Sequence, residues 1–142
     1  MLITKYTAET TAPAAAVWQI LQDVANWNTW ACGTEFSTLN GPFKTGTTGT
    51  LKPTGGPLLQ TKLTKVDPMK MFVQEAKVTF ARIVMSHFLT ESSGKSTVTF
   101  QIETHGPLAF VWAFLIGRDI RKKVPIEMAA MIKKPNRSGN NH

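Results

Sequence analysis

A single cysteine, Cys32, leaves this sequence no means of forming an internal disulfide, which fits a reducing, cytoplasmic setting. As a lone thiol it is read as inert and part buried rather than catalytic. Long apolar runs are missing as well. The longest, LAFVWAFLI at residues 108–116, has nine residues, against the about 20 that a membrane-spanning helix requires. The opening MLITKYTAETTAP alternates polar and apolar residues and lacks the apolar stretch of a signal peptide. There is no nucleophile elbow, no glycine-rich phosphate loop and no His/Cys cluster at metal-ligand spacing. The three histidines, His87, His105 and His142, are scattered. Neither a metal nor an organic cofactor is therefore expected.

Acidic residues are also scarce, 9 against 16 basic ones, for a net charge of +7. That excess invites a nucleic-acid reading, but no helix-turn-helix pattern and no basic strand interleaved with aromatics accompanies it. Basic surface acting as a solubilising field, with weak attraction to anionic membrane lipid, accounts for the charge better. No specific nucleic-acid partner is expected.

What is present has the composition of one globular domain, 42% hydrophobic and 18% charged over 142 residues, enough to close a core. Residues 2–9 read as a strand with Leu2, Thr4, Tyr6 and Ala8 on one face and Ile3, Lys5, Thr7 and Glu9 on the other. Pro13 suits a first helical position, and Ala14, Val17, Trp18 and Leu21 follow as an apolar stripe at i, i+3, i+4 and i+7. Asp23 and Asn26 interrupt it, so a second short helical turn is expected near residues 26–30. Thereafter Thr, Val, Phe and Leu dominate between breakers such as Asn40-Gly41-Pro42 and Pro53-Thr54-Gly55-Gly56-Pro57. This texture predicts an antiparallel meander of six further strands, at 34–39, 47–52, 59–66, 70–77, 79–89 and 96–104. Gly106-Pro107 then opens a long helix, residues 107 to about 133, which Pro125 should kink or pause. Residues 1–134 are read as one domain and residues 135–142, PNRSGNNH, as a flexible tail.

The start of that last helix is apolar on every side. One side can pack on a sheet, but the other must meet a second apolar partner: a lid, a subunit, a membrane or a ligand. Three of the four tryptophans, Trp18, Trp27 and Trp30, lie within thirteen residues. They are either plain core or the wall of a space that something enters.

In order, Thr11-Ala12-Pro13 with Val17-Trp18 and Leu21, Asp23 with Trp27 and Trp30, the PTGGP turn, Val66-Asp67-Pro68 before Met71-Phe72, Ser96 to Thr99 after a glycine turn, and Gly106-Pro107-Leu108 resemble the START/SRPBCC superfamily. The resemblance covers nearly the whole chain, residues 3–132. It implies an α+β helix-grip fold: a seven-stranded antiparallel sheet curved around a long C-terminal helix, with two short helices after strand 1. It also implies a hydrophobic small molecule, such as a lipid, polyketide or isoprenoid, held in a cavity between sheet and helix. Trp18 is then core, while Trp27 and Trp30 border one end of the cavity, with simple packing as the competing reading. Phe72, Phe80 and Phe100 from the sheet, and Trp112, Leu115 and Ile116 from the helix, are the other expected ligand contacts.

The superfamily includes carriers, cyclases, hydrolases and sensors, so the resemblance leaves function open. The alternative to carriage is a cyclase or dehydratase on a hydrophobic carbonyl substrate. His87 or Arg82 would polarise the carbonyl and Glu75 or Asp119 would move protons. Arg82 and His87, five apart on one strand, face opposite sides. A two-residue turn at Ser93-Gly94 sets His87 opposite Phe100 on the dry face; a three-residue turn puts Arg82 and Ser86 there instead. Asp119 can close the cavity with Arg118 or Arg82, or pair with Lys122 in solvent. A third possibility is that the apolar helix start forms a homodimer or rests on an acidic membrane surface.

Overall fold

The computed structural model describes the backbone of residues 1–140 and the side chains of residues 1–133. The expected tail, residues 135–142, lies outside these fully described residues. The elements follow the order β1 (Leu2–Thr10), α1 (Ala14–Gln22), a 3-10 helix (Val24–Thr29), β2 (Thr34–Leu39), β3 (Thr48–Pro53), β4 (Leu59–Asp67), β5 (Met71–Val78), β6 (Ala81–Ser92), β7 (Lys95–His105) and α2 (Ala109–Asn140). The strands form one antiparallel sheet in the order β1-β7-β6-β5-β4-β3-β2. Consecutive hairpins build it from β2 to β7, and β1 closes it by pairing with β7. Register shifts between Leu2 and Thr4, Thr34 and Phe36, and Leu63 and Lys65 mark bulges, and bulges bend and over-twist a strand. The result is the curled sheet of a helix-grip fold, with α2 packed against β1 and also touching β6, β7 and α1.

The sequence explains most of these elements. On α1 the stripe of Ala14, Val17, Trp18 and Leu21 is buried, each large side chain contributing about 1.5–3 kcal/mol of transfer free energy. Pro13 is the cap residue rather than the first helical one and offers no side-chain acceptor. Glu91 of β6 supplies one instead, its Oε2 accepting from the Ala14 N–H at 2.7 Å, where a carboxylate also complements the positive end of the helix. Ser96 Oγ donates to the Ala12 carbonyl at 2.7 Å and ties β7 to the same corner.

Four expectations are corrected. The bulge near the start of β1 buries Ile3 on the side of Ala8, whereas strict alternation had placed it with Lys5, Thr7 and Glu9. Strand β6 begins at Ala81, because Thr79 and Phe80 form a two-residue turn between the paired Val78 and Ala81. Phe80 turns there with φ +53°, a left-handed conformation that costs a bulky residue about 1–2 kcal/mol. Nothing in its side chain advertises that turn. Helix α2 starts at Ala109, after a turn through Pro107 and Leu108, and it is α-helical through Pro125 and past residue 133. Cys32 is exposed rather than part buried.

The turn between β6 and β7 has two residues, Ser93 and Gly94, both at positive φ, since Ser92 pairs with Lys95. Of the two registers that the sequence left open, this one sets His87 opposite Phe100. Ile83, Met85, His87 and Leu89 therefore point into the grip, and Arg82 points out.

Candidate functional site

Between α2 and the concave face of the sheet lies a cavity of about 340 Å³, within the size range of small-molecule sites. Its apolar walls come from Leu51 and Leu59 of β3 and β4, Val78, Ile83 and Met85 of β5 and β6, and Phe100 and Ile102 of β7. Helix α2 adds Trp112, Leu115, Ile116, Ile120, Val124 and Met128, and the loop 53–57 crosses one side. Trp27 and Trp30 close an end, their rings in edge contact at a centroid distance of 6.4 Å. Trp27 is fixed from behind: its Nε1–H donates to the Leu21 carbonyl at 2.9 Å and its ring stacks on Phe72.

Of the expected contacts, Trp27, Trp30, Phe100, Trp112, Leu115 and Ile116 thus line the cavity, and Phe72 and Phe80 do not. Phe72 is fully buried one layer deeper, against Trp18, Phe43 and His87. It shares the buried face of β5 with Gln74 and Ala76, but the rings of His87 and Trp27 pack over it. Phe80 projects from the hairpin tip into solvent. Trp18 packs edge-on to Phe43 and Phe72 and takes no part in the lining.

The polar candidates separate more sharply. Arg82 Nε lies 3.2 Å from Glu75 Oε1 in a diagonal ion pair between β6 and β5 on the outer face of the sheet, and neither residue lines the cavity. Asp119 does line it, and its carboxylate pairs with Lys123 one turn on at 2.9 Å, not with Lys122. This partner holds the Lys123 ammonium above its usual range.

His87 is buried and lines the cavity. Its ring stacks on Phe72 at 4.5 Å and meets Phe100 at 4.2 Å and Trp27 at 6.4 Å. Enclosed by hydrocarbon, the imidazole is pushed down from 6.5 to about 3 by burial and is neutral at physiological pH. Its Nδ1 is buried without a hydrogen-bond partner among the described residues. Such an orphaned group costs about 1–3 kcal/mol.

Most of the remaining liners escaped sequence reasoning, the polar Gln74 and Glu127 among them. Gln74, buried on β5, shares the inward face with Phe72 and Ala76, and the alternation of that strand was the signal that could have found it. Glu127 follows Asp119 and Lys123 at four-residue spacing on the cavity side of α2. Burial raises its carboxyl, against the Gly33 N–H that donates to Oε1 at 2.9 Å. Gly33 permits this approach, since a Cβ there would lie 2.7 Å from that oxygen. Among the described residues no cluster of His, Cys, Asp and Glu has the arrangement of a metal site.

Comparison with solved structures places the architecture. A hypothetical protein from Helicobacter pylori superposes with a TM-score of 0.76 at 10% identity, over 91% of this chain and 84% of that one. The Zhui aromatase/cyclase from Streptomyces sp. R1128 gives 0.71 at 13% identity, over 94% and 93%. A START superfamily protein from Mycobacterium smegmatis gives 0.69 at 11% identity, over 94% and 97%. At these identities the likeness is one of fold. No curated protein sequence matches the chain. The model of the family described as polyketide cyclase / dehydrase and lipid transport matches residues 1–130, almost the whole of the helix-grip domain, and the chain belongs to that family.

Proposed function

We propose that this protein binds and carries one hydrophobic small molecule that bears a hydroxyl or carbonyl group. The observation that carries the reading is an apolar cavity of about 340 Å³ walled in part by His87, whose buried Nδ1 has no partner. A buried polar atom is retained without a partner only at a cost, and a ligand supplying the missing hydrogen bond removes that cost. Either tautomer serves, as a donor to a carbonyl or an acceptor from a hydroxyl. The apolar walls supply affinity and the imidazole supplies orientation, the usual division of labour in such pockets. Gln74 lies in the same lining as a second polar group.

A cyclase or dehydratase is the second reading, favoured by the presence of Asp119 and Glu127 in the same lining. Glu127, its carboxyl raised by burial, has the character of a general acid. His87 can polarise a carbonyl through a hydrogen bond. With its pKa near 3 it is a poor proton acceptor at neutral pH, which weighs toward binding.

Native mass spectrometry of the protein purified from its own host tests both readings. Carriage predicts a single adduct of one small molecule per chain, released on denaturation and returned unchanged after incubation. A ligand of altered mass after incubation supports the enzyme, and a bare chain that also refuses added sterol-like, polyketide-like and fatty compounds overturns the binding reading.

A further inference from the structure

The apolar excess at the start of α2 is only partly used by the cavity. Ala113 packs inward, and Trp112 and Ile116 face the ligand space. Phe110, Phe114 and Leu115 remain 61%, 85% and 64% exposed. The β5–β6 hairpin tip is tied to the same end of the helix, since the Leu108 N–H donates to the Phe80 carbonyl at 3.1 Å and Trp112 Nε1–H donates to the Thr79 carbonyl at 2.9 Å. Phe80 at that tip is itself 72% exposed. Single exposed apolar residues are ordinary, but Phe110, Phe114 and Leu115 on two successive turns, with Phe80 exposed at the same end of the helix, mark a surface that meets something.

We infer that this face, the first turns of α2 with the β5–β6 tip, docks on an anionic membrane surface, where the cavity exchanges its ligand. Two observations select the occupant. The next turn of the same helix exposes Arg118 and Lys122, so rings that enter the acyl boundary are followed by cations at the depth of the phosphates, the arrangement of interfacial helices. The chain as a whole carries +7, which an anionic surface attracts and a second copy repels. A third observation gives the contact its purpose. Leu115 is at once exposed and part of the cavity lining, so the apolar patch adjoins the ligand space, and an apolar ligand crosses there without passing through water. Nothing here requires insertion: no helix among the described residues is long and apolar enough to cross a membrane.

The exchange step rests on the carriage reading, but docking itself is measured separately. The full chain is sedimented with vesicles of phosphatidylcholine, with and without phosphatidylglycerol. In parallel, uptake of an apolar fluorescent probe is titrated without vesicles. The variants are Phe110→Ser with Phe114→Ser, and Arg118→Gln with Lys122→Gln, none of which lines the cavity. Wild type is expected to sediment with the anionic vesicles. The serine pair should bind them about tenfold or more weakly, as loss of buried apolar area requires, and the glutamine pair should lose about fivefold per cation. Probe uptake in solution should be unchanged in both pairs, which also verifies their folding. No association of wild type with anionic vesicles overturns the proposal. Equal association of wild type and the serine pair overturns it too, leaving only diffuse charge attraction. A dimer that the serine pair abolishes, in a protein indifferent to vesicles, assigns the face to a second copy instead. Docking that persists in a chain with no probe uptake supports the surface and overturns the carriage reading alone.

Discussion

Below pH 6.5 the folded protein is expected to lose about 1.4 kcal/mol of stability per pH unit through one residue, and His87→Leu should remove that loss. The unfolded chain takes up a proton on His87 at about pH 6.5, whereas the folded chain holds the ring neutral down to about 3. A folded-state pKa below the unfolded one means stability that is fully present above pH 6.5 and lost as the pH falls toward 3. Glu127 works in the opposite sense: its raised carboxyl favours the folded state at low pH and loses that contribution as pH rises. The difference between wild type and His87→Leu isolates the histidine. At neutral pH the leucine variant should equal or exceed wild type in stability, because it deletes an unsatisfied buried nitrogen and keeps an apolar side chain against Phe72 and Phe100. It should nevertheless bind polar-headed ligands more weakly than wild type. Urea midpoints from pH 4 to 8 for both proteins measure this, and parallel pH profiles would show that His87 is not the group responsible.

The tryptophans give the second large effect. Trp18→Ala should cost about 3–5 kcal/mol, as truncation of a packed aromatic does, because Trp18 fills the space between α1 and the rings of Phe43 and Phe72. Trp30→Ala should cost clearly less. One side of that ring faces the cavity and has no packed atoms to lose. Instead it should weaken uptake of an apolar probe. Trp27 combines the two roles, walling the cavity while held by Phe72 and the Leu21 carbonyl, so Trp27→Ala should lose both stability and uptake. Equal destabilisation by Trp18→Ala and Trp30→Ala with unchanged probe binding would make both rings plain core.

The fold was legible because its signals are local and repeated. The α1 stripe, the turn residues of the meander and the all-apolar opening of α2 each point to the same layered arrangement. The site was legible only in outline, and the reasons are specific. Which of Arg82 and His87 enters the grip depends on a single residue in the Ser93-Gly94 turn, and both registers satisfy the pattern of β7. Phe80 reads as strand because no glycine or asparagine marks the Thr79-Phe80 turn, and the pairing of Val78 with Ala81 forces it. Phe72 has the right face but is covered by His87, a depth that alternation cannot convey. Glu127 lies beyond the apolar run that drew attention to α2, and its place in the cavity wall, held by the Gly33 N–H, depends on the tertiary fold rather than on any local pattern.

The cavity as a ligand site is tested most directly by filling it. Leu51 of β3 and Ile116 of α2 are half-buried liners from the sheet and helix walls, so Leu51→Trp with Ile116→Trp adds bulk from both. The measurement is a titration of an apolar fluorescent probe against wild type and this double variant, in the absence of vesicles. Saturable binding of one probe per wild-type chain, abolished in a filled variant that still unfolds cooperatively, is the expected result. Equal binding by both proteins would place the probe on the outer surface and contradict the cavity as the site.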